Sequence, residues 1–277
     1  MNICHRKVSS VIGVISIGCM LVTQLATAAT RLPFTSSFET ADFAEWDGGL
    51  DGDLSVTSAD ATDGRFAAQG RMTRGQVANQ YKDFIFGDHI RVGGEAVTPA
   101  NGLWLQFDSK FETGFEFGSS ANLHKIAIIN FEDENGRRRY QILVNVWTAS
   151  REYFVEHLKW NADRSFNRAM PGLSQNLGTP VQARLGQWDR ILLFVKPNSP
   201  GSTDGELRFW VNGQLKAEYR NITLREDTPY NPNKLIMGNY VTDTTTDGVQ
   251  RWDHFYLGEA DPRGSVRPMP PRDVTAQ

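Results

Sequence analysis

Short segments of alternating apolar and polar residues recur along this chain, whereas the spacing of an amphipathic helix is hard to find. The segments are rich in β-branched and aromatic residues and are separated by Gly, Asn, Asp and Pro, which is typical of strands joined by turns. This pattern predicts an all-β protein. The clearest strands are expected at residues 103–112, 124–131, 139–147, 152–160, 188–196, 206–211, 234–241 and 251–257.

Two turns in this pattern are well specified. Asn135-Gly136 separates the second and third predicted strands, and Asn212-Gly213 follows the sixth. Both pairs offer the positive φ angles that tight hairpins require, so they predict antiparallel neighbours. Residues 161–187 contain several Pro and Gly residues with little alternation, and we expect a long loop or a cleft wall there.

Many strands in one domain bury their apolar faces when two sheets pack together, so the sequence predicts a two-sheet antiparallel β-sandwich. We expect the curvature of the sheets to leave a concave polar face. Gln106 and Lys110 alternate with apolar residues on one strand, and Arg190 does so on another. These three side chains are therefore expected on the concave face, in contact with a ligand.

The beginning and the end of the chain differ from the middle. A basic start precedes an apolar run at residues 8–22, and Ala26-Thr27-Ala28 fits the cleavage site of a secretory signal peptide. We therefore expect a secreted or periplasmic protein with no membrane attachment after cleavage. The predicted boundaries are 1–28 for the signal peptide, 29–262 for the sandwich domain and 263–277 for a flexible, proline-rich tail.

Composition and motif searches narrow the function classes. The 277 residues are 40% apolar and 22% charged, as in packed globular proteins, and the formal net charge is -3. Because the chain has no long basic run, we expect no nucleic-acid partner. The sequence lacks the phosphate-binding loop, the dinucleotide fingerprint, the nucleophile elbow and the His-Glu-x-x-His motif, so no organic cofactor is expected.

Four groups of residues resemble the concanavalin-A-like jelly rolls of lectins and polysaccharide lyases. Two of them are the segments 186–198 and 204–213, which look like paired strands of that fold. The third, 235–240, resembles the late concave strand of alginate and heparin lyases, where a Lys-x-Gly-x-Tyr pattern places the catalytic tyrosine. Tyr240 matches that tyrosine, although Ile236 stands at the lysine position. The fourth, Asn122-Leu123-His124, is similar to the Gln-x-His of those lyases.

The reaction of such lyases sets clear chemical requirements. In β-elimination, a proton leaves the carbon beside a uronate carboxylate, and the glycosidic oxygen departs from the next carbon. A site needs a group that neutralises the carboxylate, a base and an acid. Asn122, Lys125 or Arg190 could serve the first role, His124 or Tyr240 the second, and Tyr240 the third. Asn122 and His124 are two residues apart on an extended chain, so we expect them on one face.

Each candidate also has a structural interpretation. His124 lies among isoleucines and could be a strand-end histidine, and Tyr240 could be a core or rim aromatic. We expect Arg208 and Trp210 to bind substrate, although tryptophans in β-sandwiches are more often core residues. The run from Arg137 to Arg139 follows a turn and is most simply a solvated edge.

Acidic residues near both ends of the domain suggest a bound ion. Glu39 and Asp42 near its start, and Asp253 in its last strand, look like the carboxylates that tie the termini of carbohydrate-binding jelly rolls around calcium. Such an ion would stabilise a mature domain without cysteines, because Cys4 and Cys19 both lie in the signal segment. The alternative is that Asp42 caps a turn and the other two carboxylates are exposed.

Taken together, these features predict a secreted polysaccharide lyase that binds an anionic, uronate-containing polysaccharide, and we expect a monomer. The alternative is a non-catalytic carbohydrate-binding module of the same fold, which Ile236 and the asparagine at position 122 favour. A structural envelope protein that binds no glycan is a third hypothesis, which an apolar and filled concave face would support. The fold alone does not decide among these three hypotheses.

Overall fold

The computed structural model describes residues 31–97, 101–118, 123–161, 163, 165–168, 177–226 and 230–264. Within these ranges the secondary structure consists of β-strands and one 3₁₀ helix, Pro262–Gly264. In the part of the chain that the structure describes, no helix has the length and apolar character needed to span a bilayer. The strands are β1 Phe34–Ser36, β2 Gly48–Leu50, β3 Leu54–Thr57, β4 Ala67–Met72, β5 Ala78–Ile85, β6 Leu103–Phe111, β7 Leu123–Glu132, β8 Arg138–Trp147, β9 Tyr153–Trp160, β10 Phe166–Arg168, β11 Trp188–Lys196, β12 Gly205–Val211, β13 Gln214–Ile222, β14 Pro232–Val241 and β15 Gly248–Gly258.

The strands form two antiparallel sheets. The eight-stranded sheet has the order β13-β12-β11-β6-β15-β4-β3, with β1 paired to β15. The seven-stranded sheet has the order β10-β9-β8-β7-β14-β5-β2. Strands that are distant in sequence pair directly, since β14 lies between β5 and β7. The prediction of an all-β, two-sheet sandwich is thus confirmed, and the fold is a concanavalin-A-like jelly roll.

One apolar core holds the two sheets together. Alternate side chains of each strand point into it, such as Ile142 and Val144 on β8 and Ile191 and Leu193 on β11, all of them buried. The residues between them point to the outer face of their sheet. Each strand therefore contributes one row of side chains to the core and one row to a surface on which a site can form.

All the predicted strands are present, and their observed ends differ from the predicted ones by a few residues. The predicted hairpin turns are confirmed, because Gly136 has a φ of 69° and Asn212 and Gly213 have φ angles of 52° and 78°. Strands such as β4 and β5 were not predicted. On β5 the polar side chains of Gln80 and Lys82 are buried, so the expected apolar alternation is absent.

Candidate functional site

A groove of about 800 Å³ lies on the outer face of the seven-stranded sheet. Its lining comes from β5, β7, β8, β9, β14 and the turn between β7 and β8. Cationic side chains outnumber carboxylates in this lining, which favours a polyanionic ligand. The charged residues are Lys125, Glu132, Arg137, Arg138, Arg139 and Lys234.

Lys125 and Tyr240 lie beside each other in the groove, because the start of β7 pairs with the end of β14. The Lys125 Nζ atom is 4.5 Å from the centre of the Tyr240 ring, which is a cation–π distance. Tyr240 is 40% exposed, so its ring is accessible from the groove. Asn79 of β5 is the cross-strand partner of Tyr240 on its other side.

Two irregularities in the sheet bring this pair into one row. The ladder between β7 and β8 shifts at Lys125–Ala127, and the ladder between β14 and β7 shifts between Met237 and Tyr240. Such bulges re-aim the side chains beside them. Gly238 is required within the second one, because its φ is 153° and a Cβ atom there would lie 2.2 Å from the Gln80 carbonyl oxygen.

The surroundings of Lys125 favour its neutral form. Burial lowers the pKa of Lys125 below its ordinary value; Glu156 opposes this effect, and the positive charge of Arg138 adds to it. A lysine with a lowered pKa is an unprotonated amine over a wider pH range. Lys125 is therefore suited to accept a proton from a bound molecule.

A chain of hydrogen bonds orders the part of the groove floor that lies at a distance from Lys125 and Tyr240. The Trp160 Nε1 atom donates to Gln141 Oε1 at 2.6 Å, Gln141 Nε2 donates to Asn130 Oδ1 at 2.7 Å, and Asn130 Nδ2 donates to Glu132 Oε1 at 2.8 Å. Gln141 and Asn130 are buried. Their amides hold the edge of the Trp160 ring in one position in the groove.

Charges in the floor are largely balanced among themselves. Lys234 Nζ lies 3.0 Å from Asp83 Oδ2 and 3.6 Å from Glu132 Oε1, while His89 Nε2 is 3.0 Å from Glu132 Oε2. Burial raises the pKa of Asp83, and the positive charge of Lys234 opposes this effect. Lys234 is thus shared between two carboxylates of the protein.

His124 does not line the groove, and its catalytic role stays a prediction that this placement disfavours. Its ring is fully buried on the core side of β7, against Phe111 and Phe115, with Nε2 2.7 Å from Asn239 Oδ1. Burial lowers the pKa of His124 to about 4, so it is neutral at pH 7. The alternation of β7 points Lys125 outward and His124 inward. Asn122 lies outside the described residues.

The predicted substrate-binding residues other than Lys125 lie on the sheet opposite the groove. Arg190, Gln106 and Lys110 are on the outer face of the eight-stranded sheet, away from the groove. Arg190 donates to both carboxylate oxygens of the buried Asp108, at 2.9 and 3.0 Å. Alternation identifies which side chains share a face, but it carries no information about which of two sheets forms the groove.

Arg208 and Trp210 also belong to this opposite face. Trp210 is 7% exposed and stacks near Trp104, with ring centres 5.8 Å apart. The Arg208 and Arg263 guanidinium groups lie over the same rings. Substrate binding by Arg208 and Trp210 stays a prediction that these contacts disfavour, because the protein already covers one face of each group.

The three predicted calcium ligands each accept hydrogen bonds from the protein backbone. Glu39 Oε1 accepts hydrogen bonds from the backbone of Arg65 and Phe66, and Asp253 Oδ2 accepts those of Thr62 and Asp63. Asp42 Oδ1 accepts from the Ala44 backbone, as in the predicted turn cap. Within the described residues, no group of three or more His, Cys, Asp or Glu side chains is placed to hold a metal ion. Calcium binding stays a prediction.

Several groove residues were not singled out from the sequence. Tyr81, Trp160 and Lys234 line the groove, and the run from Arg137 to Arg139, expected to be solvated, lines it as well with Arg137 and Arg138 exposed. A signal for Lys234 was available, because it shares the strand parity of Tyr240. For Trp160 and Tyr81 there was none, since their strands reach the groove only through the pairing of distant segments.

Comparisons with known proteins agree with this architecture. The sequence profile of the polysaccharide lyase family matches residues 38–255, so the chain belongs to that family. Comparison with curated protein sequences finds no match.

Solved structures with a similar fold include three lyases. An endo-β-1,4-glucuronan lyase from the fungus Trichoderma reesei is 14% identical, with 81% of this chain and 94% of that chain covered and a TM-score of 0.58. An alginate lyase from a Chlorella virus is 14% identical, with 78% and 93% covered and a TM-score of 0.52. An alginate lyase from Aplysia kurodai is 14% identical, with 74% and 86% covered and a TM-score of 0.51. At these identities the likeness establishes the fold.

Proposed function

We propose that this protein cleaves a uronate-containing polysaccharide by β-elimination, with Lys125 as the base and Tyr240 as the acid. The observation that carries the proposal is the contact between the Lys125 amine and the Tyr240 ring in a cation-rich groove. Membership of the polysaccharide lyase family supports the reaction class. Of the catalytic candidates that fall within the described residues, these are the two that line the groove.

The roles follow from the two environments. Lys125, whose pKa is lowered by burial, takes the proton from the carbon next to the carboxylate. The electron pair left on that carbon forms a carbon–carbon double bond, and the bond to the glycosidic oxygen breaks. The Tyr240 hydroxyl donates its proton to that oxygen. One proton has moved from carbon to oxygen, no water is consumed, and the product carries an unsaturated uronate.

The groove also fits a carbohydrate polymer in shape and charge. Ile128 and Ile236 contribute apolar surface to its lining, which suits the face of a sugar ring. Cationic side chains around them suit the carboxylates of a uronate chain. Ile236 is the position at which the sequence departs from the lyase pattern, and in this groove Lys125 supplies the amine.

The decisive experiment follows the ultraviolet absorbance of the purified mature protein with glucuronan, alginate, heparin-type and pectic polymers, with calcium and with a chelator. We expect a rise from unsaturated uronate on one of these polymers, and loss of the rise in Tyr240→Phe. Binding to a polymer with no rise on any of them would instead support a non-catalytic binding module. Loss of activity or of thermal stability with chelator would support calcium.

Export is a further part of this proposal, supported by the signal-like segment 1–28. Expression of the full chain in a bacterial host, followed by N-terminal sequencing of the extracellular and periplasmic fractions, tests it. We expect a product that begins near Ala29. Recovery of uncleaved chain from the cytoplasm would contradict export.

A further inference from the structure

A second cluster of groove residues lies far along the sheet from Lys125 and Tyr240. In the β7–β8 ladder, Lys125 pairs with Asn145, whereas Arg138 pairs with Glu132, seven residues further along β7. At ordinary strand spacing, this separation corresponds to roughly 20 Å between the two strand positions. Lys125 and Arg138 nevertheless line the same groove. A ligand that occupies both ends of the groove is therefore a chain of sugars, since a single sugar ring is too short.

The cluster extends towards the edge strand β10. Trp160 at the end of β9 pairs with Phe166 at the start of β10, and their ring centres are 5.3 Å apart. In the sheet order, β10 is four strands from β14, which corresponds to about 19 Å across the sheet from the strand of Tyr240. A sugar bound at Tyr240 therefore does not reach Phe166.

Trp160 is held in place by contacts within the protein. Its Nε1 atom donates to Gln141 Oε1 at 2.6 Å, and the Arg138 guanidinium carbon lies 4.3 Å from its ring centre. Beside it, the β9–β10 hairpin is closed by Asn161, whose backbone N donates to Ser165 O at 2.8 Å and whose Nδ2 donates to Ser165 Oγ at 2.9 Å. These contacts order the cluster before a ligand binds, which lowers the entropic cost of binding.

Arg138 and Phe166 both keep surface free for a ligand. Arg138 is exposed, and within the described residues none of its contacts is with a carboxylate. A guanidinium stacked on a ring keeps the donors at its edge, which match the two oxygens of a carboxylate. Phe166 is 54% exposed, and an exposed aromatic ring suits the apolar face of a sugar.

Phe166 differs from an isolated exposed apolar residue, which needs no function. Leu177, for example, is 46% exposed, and its backbone N donates to Lys216 on the edge strand of the other sheet. Phe166 instead adjoins Trp160, which lines the cation-rich groove beside an exposed guanidinium. An aromatic ring and a cation side by side have the chemistry that recognises a uronate, which offers a ring face and a carboxylate.

We infer that Arg138, Trp160 and Phe166 form a distal anchor site, which binds a uronate several sugars away from the bond that Lys125 and Tyr240 cleave. The inference rests on the proposed lyase function and adds a second point of attachment for the same polymer. Arg138 binds the carboxylate of the distant uronate, Phe166 packs against its ring, and Trp160 is a positioning residue. The anchor takes no part in proton transfer, and it makes long chains better substrates than short oligomers.

The test measures kcat/KM on uronate oligomers of increasing length and on the long polymer. In the unmodified protein, kcat/KM should rise at the length at which a chain first spans both ends of the groove. Arg138→Ala and Phe166→Ala should each remove much of this rise, with a loss of about 10-fold on the long polymer and little change on the shortest cleaved oligomers. Arg220→Ala and Leu177→Ala, outside the groove, are the matched controls and should change neither value.

Two further readouts separate anchoring from structural damage. The loss on long chains should be a rise in KM at nearly constant kcat, because the anchor contacts substrate and transition state equally. High ionic strength should narrow the difference between Arg138→Ala and the unmodified protein, whereas the difference for Phe166→Ala should persist. Equal losses on short and long chains, a fall in kcat alone, or a kcat/KM that is independent of length in the unmodified protein would overturn the anchor while the lyase function stands.

Binding measurements cover the case in which the lyase proposal itself fails. If no polymer is cleaved, migration through gels containing a uronate polymer reports binding directly. Weaker retention of Arg138→Ala and Phe166→Ala, with both controls retained as the unmodified protein is, would support the anchor in a non-catalytic protein. Unchanged retention of the two variants, or no retention of any protein, would overturn it.

Discussion

The outer faces of the two sheets carry similar residue types but differ in how their charges are paired. On the eight-stranded sheet, Arg190 is bound to the buried Asp108, and Lys110 Nζ lies 2.5 Å from Asp60 Oδ2. On the seven-stranded sheet, the groove holds Lys125 beside a tyrosine ring and Arg138 on a tryptophan ring.

This difference separates structural charges from functional ones. A buried ion pair has its hydrogen-bonding capacity satisfied by the protein, and breaking it exposes an uncompensated charge. A cation that rests on an aromatic ring and has no carboxylate partner retains its donors for a ligand. Arg208 and Arg263 on the opposite face also lie over rings, but they pair with Glu206 and Asp261. The net charge of a face therefore favours a class of ligand, while the partners of each charged residue within the protein decide whether that residue can bind it.

The largest expected effect comes from the groove pair. Tyr240→Phe and Lys125→Ala should each lower kcat on the cleaved polymer by roughly 100- to 10,000-fold, because each removes one proton-transfer group. Thermal denaturation of Tyr240→Phe should change little, since Tyr240 is 40% exposed and the substitution removes only its hydroxyl. Tyr256→Phe on the opposite sheet is the matched control, and an equal loss of activity there would contradict the assignment.

Breaking an ion pair on the other face should affect stability without affecting catalysis. Arg190→Ala removes two hydrogen bonds from the buried carboxylate of Asp108 and leaves His254, with Nδ1 3.6 Å from Asp108 Oδ2, as its remaining cationic neighbour. We expect a loss of up to about 3 kcal/mol in the free energy of unfolding. Urea denaturation measures this loss, with the exposed Arg220→Ala as a control that changes nothing measurable. Activity per folded molecule should be unchanged; a selective fall in kcat would show that this face contributes to the reaction.

His124 should make the free energy of unfolding depend on pH without affecting catalysis. Its pKa is about 4 in the folded protein and 6.5 as an ordinary histidine, so the unfolded chain binds its proton first as pH falls. The stability that the neutral ring provides is fully present above about pH 6.5. It should decrease by an amount on the order of 3 kcal/mol as the pH approaches 4.

The comparison with His124→Gln isolates this contribution. Glutamine can still donate to Asn239 but does not titrate, so the variant should lose less stability between pH 7 and pH 4.5. Buried His157, whose pKa is also lowered to about 4, contributes equally to both proteins and cancels in the difference. Parallel pH profiles of the melting temperature in the two proteins would contradict the prediction.

The smallest expected effect is a difference between the two faces in how they respond to ionic strength. Raising the ionic strength should increase KM for the uronate polymer severalfold, because exposed groove cations are screened. The buried Arg190–Asp108 pair is screened much less, so the stability difference between the unmodified protein and Arg190→Ala should hardly change. A KM that is independent of salt would show that groove charge contributes little to binding.

Local sequence was sufficient for the class of fold and for much of its secondary structure. Alternation and turn residues act between neighbours in the chain, so the strand at 188–196 and the Asn212-Gly213 turn were predictable. Local pattern failed on β5, because its buried polar residues are stabilised by distant partners. Lys82, for example, pairs with Asp51, which is 31 residues earlier in the chain.

The candidate site was likewise predictable from the sequence only in part. The resemblance of residues 235–240 to a lyase strand identified Tyr240, and the search for a cation identified Lys125. Sequence could not assign His124 to the core or Arg190 to the opposite sheet, since alternation is symmetric between the inner and outer faces of a strand. Only the pairing of β14 between β5 and β7 settled which rows of side chains share the groove. That pairing depends on the burial of apolar residues far apart in the chain, which no local pattern encodes.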